Sequence, residues 1–461
     1  MEQKKSRFKI PHVYIILVLI IIFAGVLTYI VPAGEYTRVE VNGMNVVDPA
    51  SFHYIDQNPV SWFEMITAIP EGFLAGASII VLMFVSVGSI GFYTSTGALE
   101  RVLSSVTKGG GGGSRIALMI GIMLFFFLNA GLTGAMNTPV VYVPLIVSLC
   151  LALGYDAMTG LGMIAVSVMI GFGSGPTNPN TVVVAQEIAE LPIYSGLGFR
   201  TFCYLFLGAV GFAYVIRYAE RVRKDPSRSL SSGVEALEPV QREEEMQPAT
   251  FRDKLLVFML LFSTIAIALL TIWLQLGLNE MTALYLIFGV IGGVIAGFNA
   301  EEIADKFTEF GKTIFLAVMV IALARAIPIV LEKGQIIDTI IYALAQILQN
   351  LPASVNAIGM FIAQTFINFF INSGSGQAMA MMPIMSPLSD LIGVSRQTAI
   401  LAFQFGDGFS NLVWPTSAIV MAYISAANLD FGRYLKFVLP LFLLLVVLSS
   451  ALLFAATVIG Y

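Results

Sequence analysis

Residues 171–180, Gly-Phe-Gly-Ser-Gly-Pro-Thr-Asn-Pro-Asn, and residues 406–411, Gly-Asp-Gly-Phe-Ser-Asn, interrupt two otherwise apolar stretches of this chain. Glycine, proline and asparagine commonly end or break helices, so each stretch predicts a helix that is broken partway along its length. Two further interruptions, at 129–138 and 372–378, lie between shorter apolar arms and predict the tips of re-entrant hairpins. In hydrocarbon, irregular backbone is tolerated only where it is buried in protein or lines a polar cavity. If these stretches cross a membrane, the four breaks predict a polar site at its middle.

The composition of the chain indicates that these stretches do cross a membrane. Of its 461 residues, 57% are hydrophobic and 11% are charged, and the mean hydropathy is +0.86. Soluble domains carry about 25% charged residues, so the composition indicates a membrane protein. The net charge of −5 argues against a nucleic-acid binder, and two cysteines with two histidines are too few for a metal centre. Sequence motifs of hydrolases, metalloproteases and ATP-driven pumps are absent, so we expect neither an enzyme nor a primary pump.

Seven uninterrupted apolar runs are each about as long as a membrane span, which takes roughly 20 helical residues. They lie at about 12–32, 74–93, 199–219, 256–276, 281–298, 312–331 and 434–458. Lysine and arginine are concentrated in the N-terminal tail and after Tyr218, which predicts that both segments are cytoplasmic. The loop at 34–60 should then face outside. We therefore predict a multi-pass protein of the bacterial cytoplasmic (inner) membrane with a cytoplasmic N-terminus.

The interruptions also divide the chain into two similar halves. Each half contains a hairpin tip followed by a broken helix, in the same order, which is typical of secondary transporters with inverted repeats. The predicted fold is an all-α polytopic membrane protein. Its predicted N-terminal part is a helix with an outer loop (1–60), followed by a first repeat (61–220) whose hairpin and broken helix lie at about 115–190. A largely disordered cytoplasmic linker (221–254) comes next. The rest (255–461) holds scaffold helices and the second repeat, whose hairpin and broken helix lie at about 353–428.

Asp407 is the most informative single residue, because it lies inside the second broken helix. A carboxylate within a membrane is costly and usually marks a site for an ion, a proton or a cationic substrate. The first half has Phe172 and Gly173 at the corresponding place, so the halves differ chemically. Half-helices that begin after the breaks would direct positive N-termini toward a substrate carboxylate. Exposed carbonyls at the breaks would suit Na⁺.

Two other features have competing explanations. Arg325 lies within the 312–331 run, where it would either meet a substrate carboxylate or extend to the membrane interface; we expect the interface. Gly289, Gly293 and Gly297 recur at four-residue spacing, which allows close helix contact either within the subunit or across a dimer.

These stretches resemble the anaerobic C4-dicarboxylate carrier family, and within it the YfcC-like branch, whose members are commonly described as basic amino acid antiporters. The resemblance covers nearly the whole chain and is carried by residues 129–139, 173–179, 372–377, and 406–411 with Trp414-Pro415-Thr416. The wider ion-transporter superfamily that the chain resembles has a scaffold domain and a mobile transport domain that moves like an elevator, often in a homodimer.

The resemblance also implies a set of binding residues. The implied substrate- and ion-binding residues are Asn129, Thr133, Asn137, Asn372, Ser373 and Ser375 at the hairpin tips, and Ser174, Thr177, Asn178, Asp407, Ser410, Asn411 and Thr416 at the breaks. The implied Na⁺ positions are near Asn129, Gly173, Asn372 and Asp407. The superfamily's Ser-Asn-Thr tip motif is replaced here by Asn-Ala-Gly at 129–131 and Asn-Ser-Gly at 372–374.

The sequence therefore predicts a secondary active transporter, an antiporter or an ion-coupled symporter, for small charged metabolites. Basic amino acids such as arginine and ornithine are the favoured substrates, because intramembrane lysine and arginine are scarce. A C4-dicarboxylate carrier for succinate or fumarate is the alternative, and an ion channel is the alternative of another class. No cofactor is expected beyond Na⁺ or H⁺ as a coupling ion, and the expected partners are the lipid bilayer and a second copy of the chain.

Overall fold

The computed structural model describes residues 13–41, 44–48, 50–98, 101–102, 112–232, 248–274, 276, 278–313, 315–349 and 355–461. In these ranges the α-helices are α1 (Val13–Ile30), α2 (Trp62–Thr94), α3 (Gly112–Thr133), α4 (Val143–Ala152), α5 (Ala157–Ser174), α6 (Val184–Ile188), α7 (Leu197–Lys224), α8 (Phe251–Leu274), α9 (Leu278–Ala296), α10 (Ala300–Thr313), α11 (Phe315–Lys333), α12 (Ile337–Gln349), α13 (Asn356–Phe370), α14 (Gly374–Leu391), α15 (Arg396–Ser410), α16 (Ala418–Ala426) and α17 (Phe431–Ile459). The strands are β1 (Gly34–Glu35), β2 (Arg38–Val41), β3 (Met44–Val47) and β4 (His53–Tyr54).

Each of the seven predicted spanning runs overlaps a helix. Five helical segments of the described chain are long and apolar enough to cross a membrane, or six if α2, which bends by 54°, counts as one span. The five segments are Arg115–Leu132, Ala157–Ile188, Leu197–Lys224, Leu278–Ala296 and Phe431–Ile459. The prediction of a mainly helical membrane protein is therefore confirmed.

The helices pack in two groups. In the first group, α2 lies against α9, α10 and α11, and α1 lies against α11. In the second group, α5 lies against α3, α7 and α15, and α15 also packs against α13 and α17. Helices α11 and α16 are in contact and join the two groups.

Glycines allow the closest helix contacts in the first group. A Cβ atom on Gly289 would lie 2.4 Å from the side chain of Ser89, and a Cβ on Gly72 would lie 2.2 Å from the carbonyl oxygen of Ala322. Gly293 faces Ile303 of α10 in the same way. The glycine spacing on α9 therefore serves contacts within the subunit, and it gives no support to a dimer.

The segments outside the spans contain structure that the sequence did not predict. Strand β1 pairs with β4 and β2 pairs with β3 in two antiparallel ladders within the predicted outer loop. The guanidinium of Arg38 on β2 binds the carboxylate of Asp338 at the start of α12, with Nη2 2.8 Å from Oδ1. This ion pair fixes the loop to the helical body.

Part of the predicted disordered linker is ordered. The carboxylate of Asp156, which caps α5, accepts hydrogen bonds from the hydroxyls of Tyr218 and Ser229 at 2.7 Å and of Ser231 at 3.2 Å. These bonds hold the residues after α7 against α5, so disorder was the wrong prediction for this part of 221–254. Residues 233–247 lie outside the described ranges, as does the N-terminal tail at 1–12.

Candidate substrate and ion site

All four predicted interruptions lie at or directly beside breaks in the helices. Helix α3 ends at Thr133 and a 3₁₀ helix begins at Thr138, while α13 ends at Phe370 and α14 begins at Gly374. Helix α5 ends at Ser174 and is followed by a single π-helical segment, Pro179–Val183; α15 ends at Ser410 and α16 begins at Ala418. Irregular backbone therefore occurs at or directly beside each predicted interruption: residues 406–410 are still helical and the second broken helix is interrupted at 411–417, while residues 374–378 already belong to α14.

The two broken helices, α5 and α15, cross where both contain glycine. A Cβ atom on Gly408 would lie 2.0 Å from the Cα of Gly173, and a Cβ on Gly173 would lie 2.8 Å from the ring of Phe409. Backbone atoms at this crossing leave no room for a side chain. The crossing brings the first break to within contact distance of the residues that follow Asp407.

Asp407 lies beside this crossing with its carboxylate completely enclosed. The residue is 1% exposed, and neither carboxylate oxygen has a hydrogen-bond partner among the described residues. The N-terminus of α14 lies close to it, where a Cβ atom on Gly374 would lie 3.3 Å from Oδ2 of Asp407. The positive end of α14 favours a negative charge there. This helix N-terminus, predicted to face a substrate carboxylate, therefore faces a carboxylate of the protein itself.

Thr181 of the first half approaches the same place. Its Cγ2 atom would lie 2.8 Å from a Cβ atom on Gly374, and its buried hydroxyl has no partner within the described chain. Oxygen atoms of a carboxylate and a hydroxyl are suitable ligands for Na⁺ or acceptors for a proton, and both are left unpaired here. The arrangement therefore leaves two buried oxygen-bearing groups unpaired near the N-terminus of α14.

Asparagine side chains brace the second break. The backbone carbonyl of Asp407 accepts hydrogen bonds from Nδ2 of Asn368 at 2.9 Å and from Nδ2 of Asn411 at 2.8 Å. Asn368 also donates to the hydroxyl of Ser410 at 2.7 Å, and Asn372 donates to Oδ1 of Asn411 at 2.6 Å. These bonds connect the tip at 371–373 to α15.

Side-chain amides also satisfy the carbonyls of the first break. Nδ2 of Asn178 donates to the carbonyl of Phe172 at 3.1 Å, and Nε2 of Gln404 donates to the carbonyl of Gly175 at 2.7 Å. The oxygen of Gln404 accepts a hydrogen bond at 2.8 Å from Arg200, which is completely buried. Carbonyls at this break were expected to suit Na⁺, but those of Phe172 and Gly175 are bound by the protein's own amides.

A cavity of about 150 Å³ lies between α11 and the tip at 371–373. Its wall includes Asn372, Ser373 and Thr416, which the sequence predicted as binding residues, together with Arg325 and Glu332 of α11. Arg325 therefore lines a cavity whose wall also contains the exposed residues Glu332 and Ser373. The expectation that Arg325 extends to the membrane interface stays a prediction. The stem of Arg325 packs beside Gly76 of α2.

The structure brings together some of the predicted residues and separates others. Asp407, Ser410, Asn411 and Asn372 form one connected group, and Asn178 of the first break is linked through Asn180 to Gly134 at the first hairpin tip. The hydroxyl of Ser174 donates to the carbonyl of Ile170 within its own helix. Asn129, Asn137, Thr177 and Ser375 are partly buried near their breaks, and the side chain of Thr133 lies outside the described atoms.

Sequence reasoning missed the residues that support this group, namely Asn368, Thr181, Gln404, Arg200 and Glu332. A polar side chain within an apolar run was the available signal for Asn368, Gln404 and Arg200. Within the ranges that the structure describes, no three histidine, cysteine, aspartate or glutamate side chains form a cluster for a metal ion.

Comparisons with known proteins cover nearly the entire chain. The model of a family described as "C4-dicarboxylate anaerobic carrier" matches residues 10–458. A protein of Escherichia coli strain K12 named "Putative basic amino acid antiporter YfcC" is 29% identical over 508 residues, which cover 100% of this chain and 99% of that protein. An "Uncharacterized protein" of Haemophilus influenzae is 25% identical over 510 residues, which cover 98% of this chain and 98% of that protein.

Two solved structures were also found. The YdaH transporter of Alcanivorax borkumensis superimposes with a TM-score of 0.43 at 16% identity, covering 98% of this chain and 99% of its own. MtrF of Neisseria gonorrhoeae superimposes with a TM-score of 0.41 at 18% identity, covering 96% of this chain and 95% of its own.

Proposed function

The chain belongs to the C4-dicarboxylate anaerobic carrier family, and from this starting point we propose that it exchanges basic amino acids, such as arginine and ornithine, across the cytoplasmic membrane. Members of this family are transporters, and the relative named "Putative basic amino acid antiporter YfcC" aligns over the whole chain. A carrier of C4-dicarboxylates such as succinate and fumarate is the second candidate, which the description of the family favours.

The observation that carries the proposal is the buried, unpaired carboxylate of Asp407 at the crossing of two broken helices. A buried carboxylate without a partner attracts a cation, because neutralising the charge removes much of its desolvation cost. The cation is either the positive group of an amino acid or a coupling Na⁺ or H⁺. Both roles make Asp407 necessary for coupled transport.

The basic side chains near the site favour an amino acid over a dicarboxylate. Arg200 is engaged by Gln404 and by the carbonyl of Gln397. Arg325 remains as the guanidinium in the wall of the cavity, where Glu332 also lies. One guanidinium suits one carboxylate, whereas two carboxylates beside Glu332 would leave a negative charge unbalanced. This balance supports a substrate with one carboxylate and a cationic group.

The packing of the helices suits movement between two bodies. We assign α1, α2, α9, α10 and α11 to a scaffold and α3, α5, α7, α13, α15 and α17 to a transport domain, with an elevator-like displacement of one past the other. Two such scaffolds would form a homodimer. The grouping of contacts around α2 and around α5 supports this division.

Uptake into proteoliposomes tests the substrate directly. Radiolabelled arginine and succinate are compared with internal ornithine or fumarate, with and without Na⁺ and pH gradients. We expect internal ornithine to drive arginine uptake. Succinate uptake without arginine uptake would establish the dicarboxylate carrier and would make Asp407 a ligand of the coupling ion.

A further inference from the structure

The cavity between α11 and the tip at 371–373 contains charges of both signs that the protein does not pair with one another. Its volume of about 150 Å³ corresponds to roughly ten water molecules, since one buried water needs about 15 Å³ by the same measure. A small metabolite fits that space. Asn372, Ser373 and Thr416 supply polar groups on the side opposite α11.

Arg325 is held in the cavity wall by close packing of α11 against α2. A Cβ atom on Gly72 would lie 2.2 Å from the carbonyl oxygen of Ala322, and one on Gly76 would lie 3.8 Å from Cγ of Arg325. The buried Nε of Arg325 has no hydrogen-bond partner in the described part of the chain. A guanidinium held in this way presents a fork of donors that matches a carboxylate.

Glu332 lies on the same face of α11, two turns from Arg325. Seven residues separate them, which is about 10 Å along the helix axis. The adjacent Lys333 pairs with Glu71, its Nζ 2.5 Å from Oε1, and does not line the cavity. The cavity therefore has a cationic side chain and an anionic side chain at separated positions along one helix.

We infer that this cavity binds an α-amino acid with a cationic side chain, with Arg325 binding the carboxylate and Glu332 the side-chain cation. The inference rests on the proposed function and deepens it by naming the two charged subsites. The amide of Asn372 and the hydroxyl of Thr416, which is buried and unpaired among the described residues, complete the wall. Asp407, on α15, is then left for the coupling cation.

Calorimetric titration of the purified full-length protein with three ligands tests each subsite separately. Arginine has both charged groups, agmatine lacks the carboxylate, and citrulline lacks the charge on the side chain. We expect wild type to bind arginine about 10–100-fold more tightly than either analogue, the range for a charge-assisted hydrogen bond. Arg325→Gln should remove the preference over agmatine and retain the preference over citrulline. Glu332→Gln should do the reverse.

Controls separate loss of the subsite from loss of the fold. Lys333→Gln removes a charge next to Glu332 but outside the cavity, so both preferences should remain. If Arg325→Gln is not monodisperse, Arg325→Lys replaces it, and it should retain only part of the preference over agmatine because the planar fork is lost. Unchanged preferences in the Arg325 and Glu332 variants, or equal loss of all three ligands, would overturn the inference. Wild type that binds succinate and not arginine would overturn the proposed function itself.

Discussion

At the scale of the residue, a substitution can remove the charge of Asp407 and keep the shape of its side chain. Burying this carboxylate costs several kcal/mol, of which the N-terminus of α14 offsets only a part. Asparagine has nearly the same shape without the charge. We therefore expect Asp407→Asn to melt no lower than wild type and to lose coupled uptake by about tenfold or more, in line with the loss of one charged contact. Thermal melting in detergent and proteoliposome uptake measure the two effects.

Asp390→Asn is the matched control for that substitution. Asp390 is exposed on α14 and pairs with Arg396 at 2.8 Å, so its charge lies outside the site. Exposed ion pairs contribute at most about 1 kcal/mol. Uptake by this variant should equal that of wild type. The role assigned to Asp407 would be untenable if both variants transported with wild-type kinetics.

Individual residues of the candidate site were predictable only where the chain itself breaks. Asp407, Asn372 and Asn411 stand in or beside Gly-rich interruptions, and the structure connects them. The supporting contact of Gln404 with Arg200 joins positions 204 residues apart, which no local pattern reveals. For Arg325, position along the helix did not reveal the cavity that it lines, because helical rise does not say which side of a helix meets a cavity.

At the scale of the helix, the crossing of α5 and α15 depends on glycine. A methyl group on residue 408 would lie 2.0 Å from the Cα of Gly173, and backbone cannot move aside as a flexible side chain can. We expect Gly408→Ala to lower the free energy of unfolding by about 1–3 kcal/mol or more and to impair uptake.

Gly121→Ala on α3 serves as the control, because a Cβ atom there meets nothing within 4 Å. Alanine favours the helix over glycine by about 1 kcal/mol, so this variant should melt at or above the wild-type temperature. Equal melting of the two variants would contradict the close crossing.

A second prediction for the helices concerns the buried hydrogen bond from Arg200 of α7 to Gln404 of α15. Gln404→Leu leaves the guanidinium of Arg200 and the carbonyl of Gly175 without this partner. We expect a loss of about 3–5 kcal/mol, the range for breaking a buried charged contact. The double variant with Arg200→Met should recover part of that loss, because it no longer buries the charge. Thermal melting of Gln404→Leu, Arg200→Met and the double variant tests this coupling. If the stability losses of the two single variants simply add in the double variant, the coupling is disproved.

The positions of the helices were more predictable than their partners. All seven long apolar runs became helices, because hydrocarbon permits little else. The short helices α10 and α12 were missed for different reasons: polar residues lower the average hydropathy of α10, and α12, with 13 residues, is shorter than a membrane span. Gly289 and Gly293 predicted a close contact but not its partner, which proved to be α2 and α10.

At the scale of the whole molecule, an exchanger and a channel differ in the charge that they move. Exchange of one arginine for one ornithine moves no net charge, so a membrane potential should leave its rate nearly unchanged when Na⁺ and pH gradients are absent. A channel would instead let arginine follow the potential, at about 2.3 kcal/mol per charge for 100 mV, which corresponds to roughly 50-fold accumulation. Proteoliposomes with an imposed potassium diffusion potential, loaded with or without ornithine, distinguish the two. We expect arginine uptake that saturates and requires internal ornithine. Uptake into vesicles without ornithine that follows the potential and does not saturate would identify a channel, whereas saturable uptake of that kind would identify a uniporter or a symporter.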